Sequence, residues 1–218
     1  MRRTMPGKND HRRLLLFTLA TLLASAPALA ACQLTPLERF QRAAEGGTPL
    51  SVAGKAMFPN LPVGAKLFAK TFDPTHGLPS RGDVVALCPP SNPATLYVER
   101  VIGLPGDRIK LVGDVPYLNG ESLKRTADGI VQLNGATLHC YSESIGQNSY
   151  RICQAPDPGP FADTSEVVVS PGTVFVLGDN RDAAIDSRDP DLGLVKLENI
   201  VGVAVFSPIQ FAGTPPAH

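Results

Sequence analysis

The stretch ERVIGLPGDRI, residues 99–109, decides the fold. It closes one apolar run, LYVERVIGL (96–104), at a Pro-Gly-Asp turn and opens another, DRIKLVGD (107–114). Proline presets φ and glycine tolerates the reversal. In the second run Ile109 and Leu111 alternate with Arg108 and Lys110, the period of a half-buried strand. The same grammar recurs in AKLFAKTF (65–72), RGDVVALC (81–88), SEVVVSPGTVFVLGDN (165–180) and IVGVAVFSPI (200–209). VPYLNGESL (115–123) carries Asn119-Gly120, a two-residue hairpin signal. Many short strands with regular turns, few long helices and no repeats predict a mainly β body, a barrel or sandwich.

Working outward, the body is expected from about residue 51 to 212, with the more polar segment 115–165 as an inserted lobe. QLTPLERFQRAAEGGTPL (33–50) reads as a tether with a short helix at about 36–45, and residues 213–218 as a frayed tail. The 218 residues suffice for one domain with a sizeable core. Net charge is zero, but residues 1–31 hold five basic residues and one acid, leaving 15 basic and 19 acidic residues beyond. A slightly acidic body argues against nucleic acid as a partner.

The N-terminus reads as an export signal. MRRTMPGKNDHRR is a basic region, LLLFTLATLLA (14–24) an apolar one, and SAPALAAC a small-residue cleavage zone. ALA (28–30) suits ordinary cleavage, and LAAC (29–32) suits a lipoprotein in which Cys32 is acylated, the favoured reading. The uncharged stretch 14–31 also allows an uncleaved anchor. Each option places the body outside the cytoplasm, and the lipoprotein and anchor options hold it at the membrane, facing the periplasm. Gln33 after Cys32 leans toward the outer membrane.

Such a compartment favours disulfides. Cys140 and Cys153 flank twelve residues of what reads as a polar loop and are expected to bridge. Cys88 is then the odd one out, and pairing of Cys88 with Cys140 or Cys153 stays open. No Cys/His spacing matches a metal site, the four histidines are scattered, and no cofactor is expected.

Four segments in order carry the chemistry: AMFPNL (56–61), RGDVVAL (81–87), ERVIGLPGDRI (99–109) and GDNRDAAIDSR (178–188). Together they resemble the signature boxes of type I signal peptidases over residues 51–209. ALCPP (86–90) carries a weaker resemblance to conjugative pilin-maturation peptidases of the same superfamily. The resemblance implies a membrane-bound serine endopeptidase on a β fold, with a serine nucleophile, a lysine base and an extended peptide substrate.

Both positions of that dyad are changed. Ala56 stands where the family has serine, and Glu99 where it has lysine. Asn60 replaces a threonine, Gly54 occupies the position that can help the oxyanion, and Ala184 replaces a frequent serine. Arg100, Asp107, Asp179, Asn180, Arg181, Asp186, Ser187 and Arg188 keep the pattern and are expected to support the pocket, with Asp186 and Arg188 paired. Alanine offers no hydroxyl for an acyl-enzyme. A carboxylate cannot replace an amine base where nothing remains to activate. The expected function is therefore a peptide-binding or accessory protein. The alternative is an active peptidase that uses Ser51 with Lys55 as a substitute pair. Glu99 is expected to be partly exposed and paired with Lys55, Arg100 or another cation, since a lone buried charge is costly.

Overall fold

The computed structural model describes Cys32, residues 46–92 and residues 95–205. The expected helix at 36–45, the signal segment and the tail lie outside the described residues. The strands in chain order are β1 (Thr48–Ser51), β2 (Lys66–Thr71), β3 (Val84–Leu87), β4 (Tyr97–Gly103), β5 (Arg108–Val112), β6 (Val115–Leu118) and β7 (Glu121–Ser122). They continue with β8 (Lys124–Leu133), β9 (Ala136–Ile145), β10 (Asn148–Gln154), β11 (Val167–Val168), β12 (Thr173–Leu177), β13 (Val195–Lys196) and β14 (Ile200–Val205). Two short 3-10 turns, Pro74–His76 and Leu197–Asn199, complete the regular structure among the described residues. The fold is mainly β, as the strand grammar predicts.

Three sheets form. A seven-stranded sheet runs β1-β2-β14-β3-β4-β12-β13, a four-stranded one β11-β5-β6-β7, and a three-stranded one β10-β9-β8. All four residues of β3 are buried because the large sheet is covered on both faces. Val84 and Ala86 join Leu50, Val52, Met57, Leu61 and Leu67 on one side. Val85 and Leu87 join Val101, Val174, Val176 and Ile200 on the other. A third cluster, with Ile102, Ile109, Ile145, Ile152, Phe175 and Leu177, ties the large sheet to the two smaller ones. Each such side chain contributes about 1.5–3 kcal/mol by leaving water.

The predicted turns form. Gly106 has φ 91 in the Pro-Gly-Asp turn, and Asp107 N–H donates to the Leu104 carbonyl. Asn119 and Gly120, both at positive φ, join β6 to β7. Three boundaries differ from expectation. The first strand starts at Thr48, and Pro49 is tolerated there because β1 lies at the edge of the sheet among the described residues. The segment 115–123 belongs with β5 in the four-stranded sheet, and the polar remainder is ordered as β8–β10. The presumed loop between the cysteines is a hairpin, with Cys140 directly opposite Cys153. Its polar alternation conceals a half-exposed sheet.

Cys140 and Cys153 are bridged, and so are Cys32 and Cys88. The second bond corrects two expectations. Cys88 pairs with neither Cys140 nor Cys153. The Cys32 sulfur is already bonded, so it cannot also carry a thioether-linked lipid.

The three-stranded sheet docks through a buried ionic knot. Glu143 is fully buried on β9 and accepts from Arg181 (2.6 Å), Arg125 (2.7 Å) and the Tyr150 hydroxyl (2.8 Å). Burial pushes this carboxyl up, but Arg181 and then Arg125 outweigh it and bring it down to about 2. A depressed acid stabilises the fold above its ordinary value of 4.5, and that stabilisation is lost as pH falls toward about 2. Glu143→Gln should therefore cost about 3–5 kcal/mol near neutral pH. Denaturant titrations should show the gap closing as the medium is acidified.

Candidate functional site

Residues 54–61 form a run of turns rather than a strand. Phe58 N–H donates to the Lys55 carbonyl and Leu61 N–H to that of Met57. This packs Met57 and Leu61 into the core and leaves Ala56 half-buried. The Ala56 carbonyl accepts from Asn180 N–H at 2.8 Å. Asn60 donates to Asp179 at 2.6 Å and to the Arg151 carbonyl at 2.7 Å. The turn segment is thus sewn to the 178–188 loop, to β10 and, through Asp179, to β4.

Arg100 does not face Glu99, its chain neighbour. Its guanidinium grips Asp179 in a fork, 2.7 and 2.6 Å, donates a third bond to the Gly82 carbonyl, and lies 4.0 Å from the Tyr150 ring centroid. Asp186 accepts from Gly178 N–H and from Arg188, forming the expected pair. Ser187 closes the loop onto β12, its hydroxyl accepting from Val176 N–H. Arg181 is taken by Glu143. Asp107 caps its own turn, accepting from Leu104 N–H, Arg81 and Asn119, and lies in the β4–β5 turn rather than at the pocket.

Glu99 departs from expectation. It is 2% exposed, and no ion pair or hydrogen bond reaches its buried Oε2 among the described residues. The cations proposed for it are engaged or elsewhere: Arg100 holds Asp179, and Lys55 is exposed to solvent. Burial pushes the Glu99 carboxyl well above the ordinary range, Asp186 and Asp179 push the same way, and Arg188 pulls it back. Burial thus disfavours the charged form of Glu99, which is not half of a salt bridge.

The two altered positions meet across Gly178. A Cβ there would stand 2.2 Å from the Ala184 Cβ, 2.9 Å from the Ala56 carbonyl oxygen and 3.1 Å from Glu99 Oε2. Only glycine admits this approach. Ala56 and Glu99 line a pocket of about 510 Å³ together with Gly54, Ser51 and Lys55. Its walls are largely apolar.

The substitute pair is not assembled as expected. Ser51 ends β1, opposite Lys66 on β2, and its hydroxyl accepts from Lys66 Nζ at 3.0 Å. Lys55 takes no part in that contact. Gly54 is exposed at the pocket, with open space where a Cβ would stand. Among the described residues no group of three or more His, Cys, Asp or Glu could hold a metal ion, and no helix is long and apolar enough to cross a membrane.

Sequence reasoning missed the Ser51–Lys66 contact because their spacing of 15 residues is set by strand pairing. It also missed Gly178, whose role is visible only as a close approach. The Gly-Asp-Asn start of its box is the one available signal.

Glu99 has a folded value raised above its unfolded one, so its cost is absent below about 4.5 and grows as pH rises toward the folded value. Glu99→Gln removes that cost. The variant should gain melting temperature over the parent at about pH 8 and gain little at about pH 4. Equal differences at both would mean a charged, solvated Glu99.

The family model for "Signal peptidase, peptidase S26" matches residues 44–208. A signal peptidase I of Rickettsia bellii is 37% identical over 149 residues, 65% of this chain and 49% of that protein. One from Rickettsia typhi is 38% identical over 136 residues, 59% of this chain and 51% of that protein. The match therefore spans about half the length of these relatives. A signal peptidase I structure from Enterococcus faecalis V583 aligns over 58% of this chain and 96% of its own, at 28% identity and a TM-score of 0.36. The chain belongs to the signal peptidase family, peptidase S26.

Proposed function

We propose that the protein is a non-catalytic member of this family that binds an extended peptide. One observation carries the reading: the wall of the pocket holds Ala56, without a hydroxyl, beside Glu99, a buried acid. A lysine base works when burial favours its neutral, proton-accepting amine. The same burial makes a carboxyl hold its proton. Neither half of the reaction remains, while an apolar pocket does, beside β1 at the edge of the large sheet among the described residues. Main-chain pairing along a strand edge needs backbone and apolar walls, not a dyad.

A second reading keeps the peptidase. It is favoured by the hydrogen bond between Ser51 and Lys66, a hydroxyl and an amine in contact at the pocket rim. Both side chains are exposed, and Lys66 is not among the residues that line the pocket. We prefer the first reading on that ground.

The folded body is placed outside the cytoplasm and membrane-associated, facing the periplasm. Its two disulfides fit an oxidising space, and the charged and apolar pattern of residues 1–31 fits export.

The purified protein should not cleave a signal-peptide precursor, since loss of a serine nucleophile can cost about a million-fold in kcat. Mass spectrometry of the precursor after long incubation checks this. The double variant Ala56→Ser with Glu99→Lys should gain cleavage. Turnover by the parent protein that Ser51→Ala abolishes would overturn the reading in favour of the peptidase.

A further inference from the structure

Glu99 poses a question that the peptide reading does not answer. Its Oε2 is buried without a donor, at the wall of an open pocket, while three other deeply buried carboxylates are hydrogen-bonded: Asp179 by Arg100 and Asn60, Glu143 by Arg181, Arg125 and Tyr150, Asp186 by Arg188 and Gly178 N–H. What the site lacks is a hydrogen-bond donor, and its electrostatics say of which kind. Asp186 and Asp179 both act on Glu99. Their arginines are committed, Arg100 to Asp179 and Gly82, Arg188 to Asp186 and the Arg181 carbonyl. Such a site attracts a cation more than a neutral donor.

The approach to Glu99 narrows the chemistry further. Leu50, Val52, Met57, Leu96, Val98 and Ile185 line the pocket. They offer an apolar sleeve with one carboxyl group, that of Glu99, at its wall. An unbranched aliphatic chain ending in an ammonium group fits that pattern, since such stems lie along apolar surface while the charged tip seeks a partner. Guanidinium, planar with five donors, calls for several acceptors in one plane. We propose that this pocket receives the side chain of a lysine carried on the bound peptide, its ammonium group paired with the Glu99 carboxylate. The inference rests on the peptide-binding reading above and names the side chain that reading leaves open.

Pairing displaces a proton. The neutral carboxyl gives its proton to solvent, and the ammonium donates a charge-assisted hydrogen bond to the oxygen left behind. The protein groups that set this exchange are Asp179, Asp186 and Arg188 from the 178–188 loop, Arg100 on the same strand, and Lys55 from the turn segment; β3, opposite Glu99, brings only apolar residues. The pairing must therefore offset both the desolvation of the ammonium and the ionisation of the buried carboxyl.

The test uses short capped alanine peptides that differ at one position: lysine, norleucine or alanine. At about pH 8 isothermal calorimetry should show the lysine peptide bound about tenfold more tightly than the norleucine peptide. Binding should release protons, read as a dependence of the heat on buffer ionisation, and the preference should shrink as pH falls. Glu99→Gln should abolish the preference while the norleucine peptide still binds, which also shows that the variant is folded. Equal affinity for lysine and norleucine, or a lysine preference that survives Glu99→Gln, would overturn the inference and leave the peptide reading standing. Failure of all three peptides to bind would overturn both.

Discussion

Asp179 is where the molecule is tied together. Its carboxylate takes two bonds from Arg100 on β4 and one from Asn60 in the turn segment, and its carbonyl accepts from Cys153 N–H on β10. Three segments far apart in the chain meet on one residue that is 1% exposed. A buried ion pair of this kind is weak evidence for net stability. It is strong evidence for geometry, because each partner tolerates only one placement. Gly178 can press against Ala56 and Glu99 only because the next residue is held so firmly. The Cys140–Cys153 bond braces the same junction, with Cys153 also receiving Arg181 N–H at its carbonyl.

Against that background Glu99 and Glu143 form an instructive contrast. Both are buried glutamates on central strands. Glu143 meets two arginines and a tyrosine hydroxyl, and its carboxyl falls to about 2. Glu99 sits near two aspartates whose arginines are otherwise engaged, and burial pushes it well up. The residue type is the same, and the available donors decide its charge. On the proposed reading, a pocket wall with a buried acid and a methyl group lacks the means of acyl transfer and retains shape, apolar surface and a directed polar group.

Much of the fold was legible in the sequence, and for physical reasons. Strand alternation, Asn-Gly and Pro-Gly-Asp are local signals, and β4, β5, the β6–β7 hairpin and β12 follow them closely. The β8–β10 sheet was not legible, because strands exposed on one face and rich in Ser, Thr and charged residues look like loop until their partner is known. At the site, the identities of Ala56 and Glu99 could be read, and the pairing of Asp186 with Arg188 followed from their closeness. The partners of Arg100, Ser51 and Cys32 could not. Each depends on which strands lie side by side, at separations of 79, 15 and 56 residues. The expectation that Glu99 would find a cation failed for a related reason: the neighbouring arginines had stronger claims elsewhere.

Retention of the scaffold says little by itself about catalysis. What Ala56 gives the fold is its carbonyl, bonded to Asn180 N–H, and any residue supplies that. A side-chain hydroxyl at 56 can therefore disappear without disturbing the loops that mark the family. Glu99 is different. An apolar side chain of similar size would sit among the same walls with nothing left unsatisfied, whereas the carboxyl costs stability as pH rises above its ordinary value. Local violations of good packing chemistry tend to mark sites where function outweighs stability. On the proposed reading, the altered dyad is less a site worn away than one that has exchanged a reacting pair for a single acceptor.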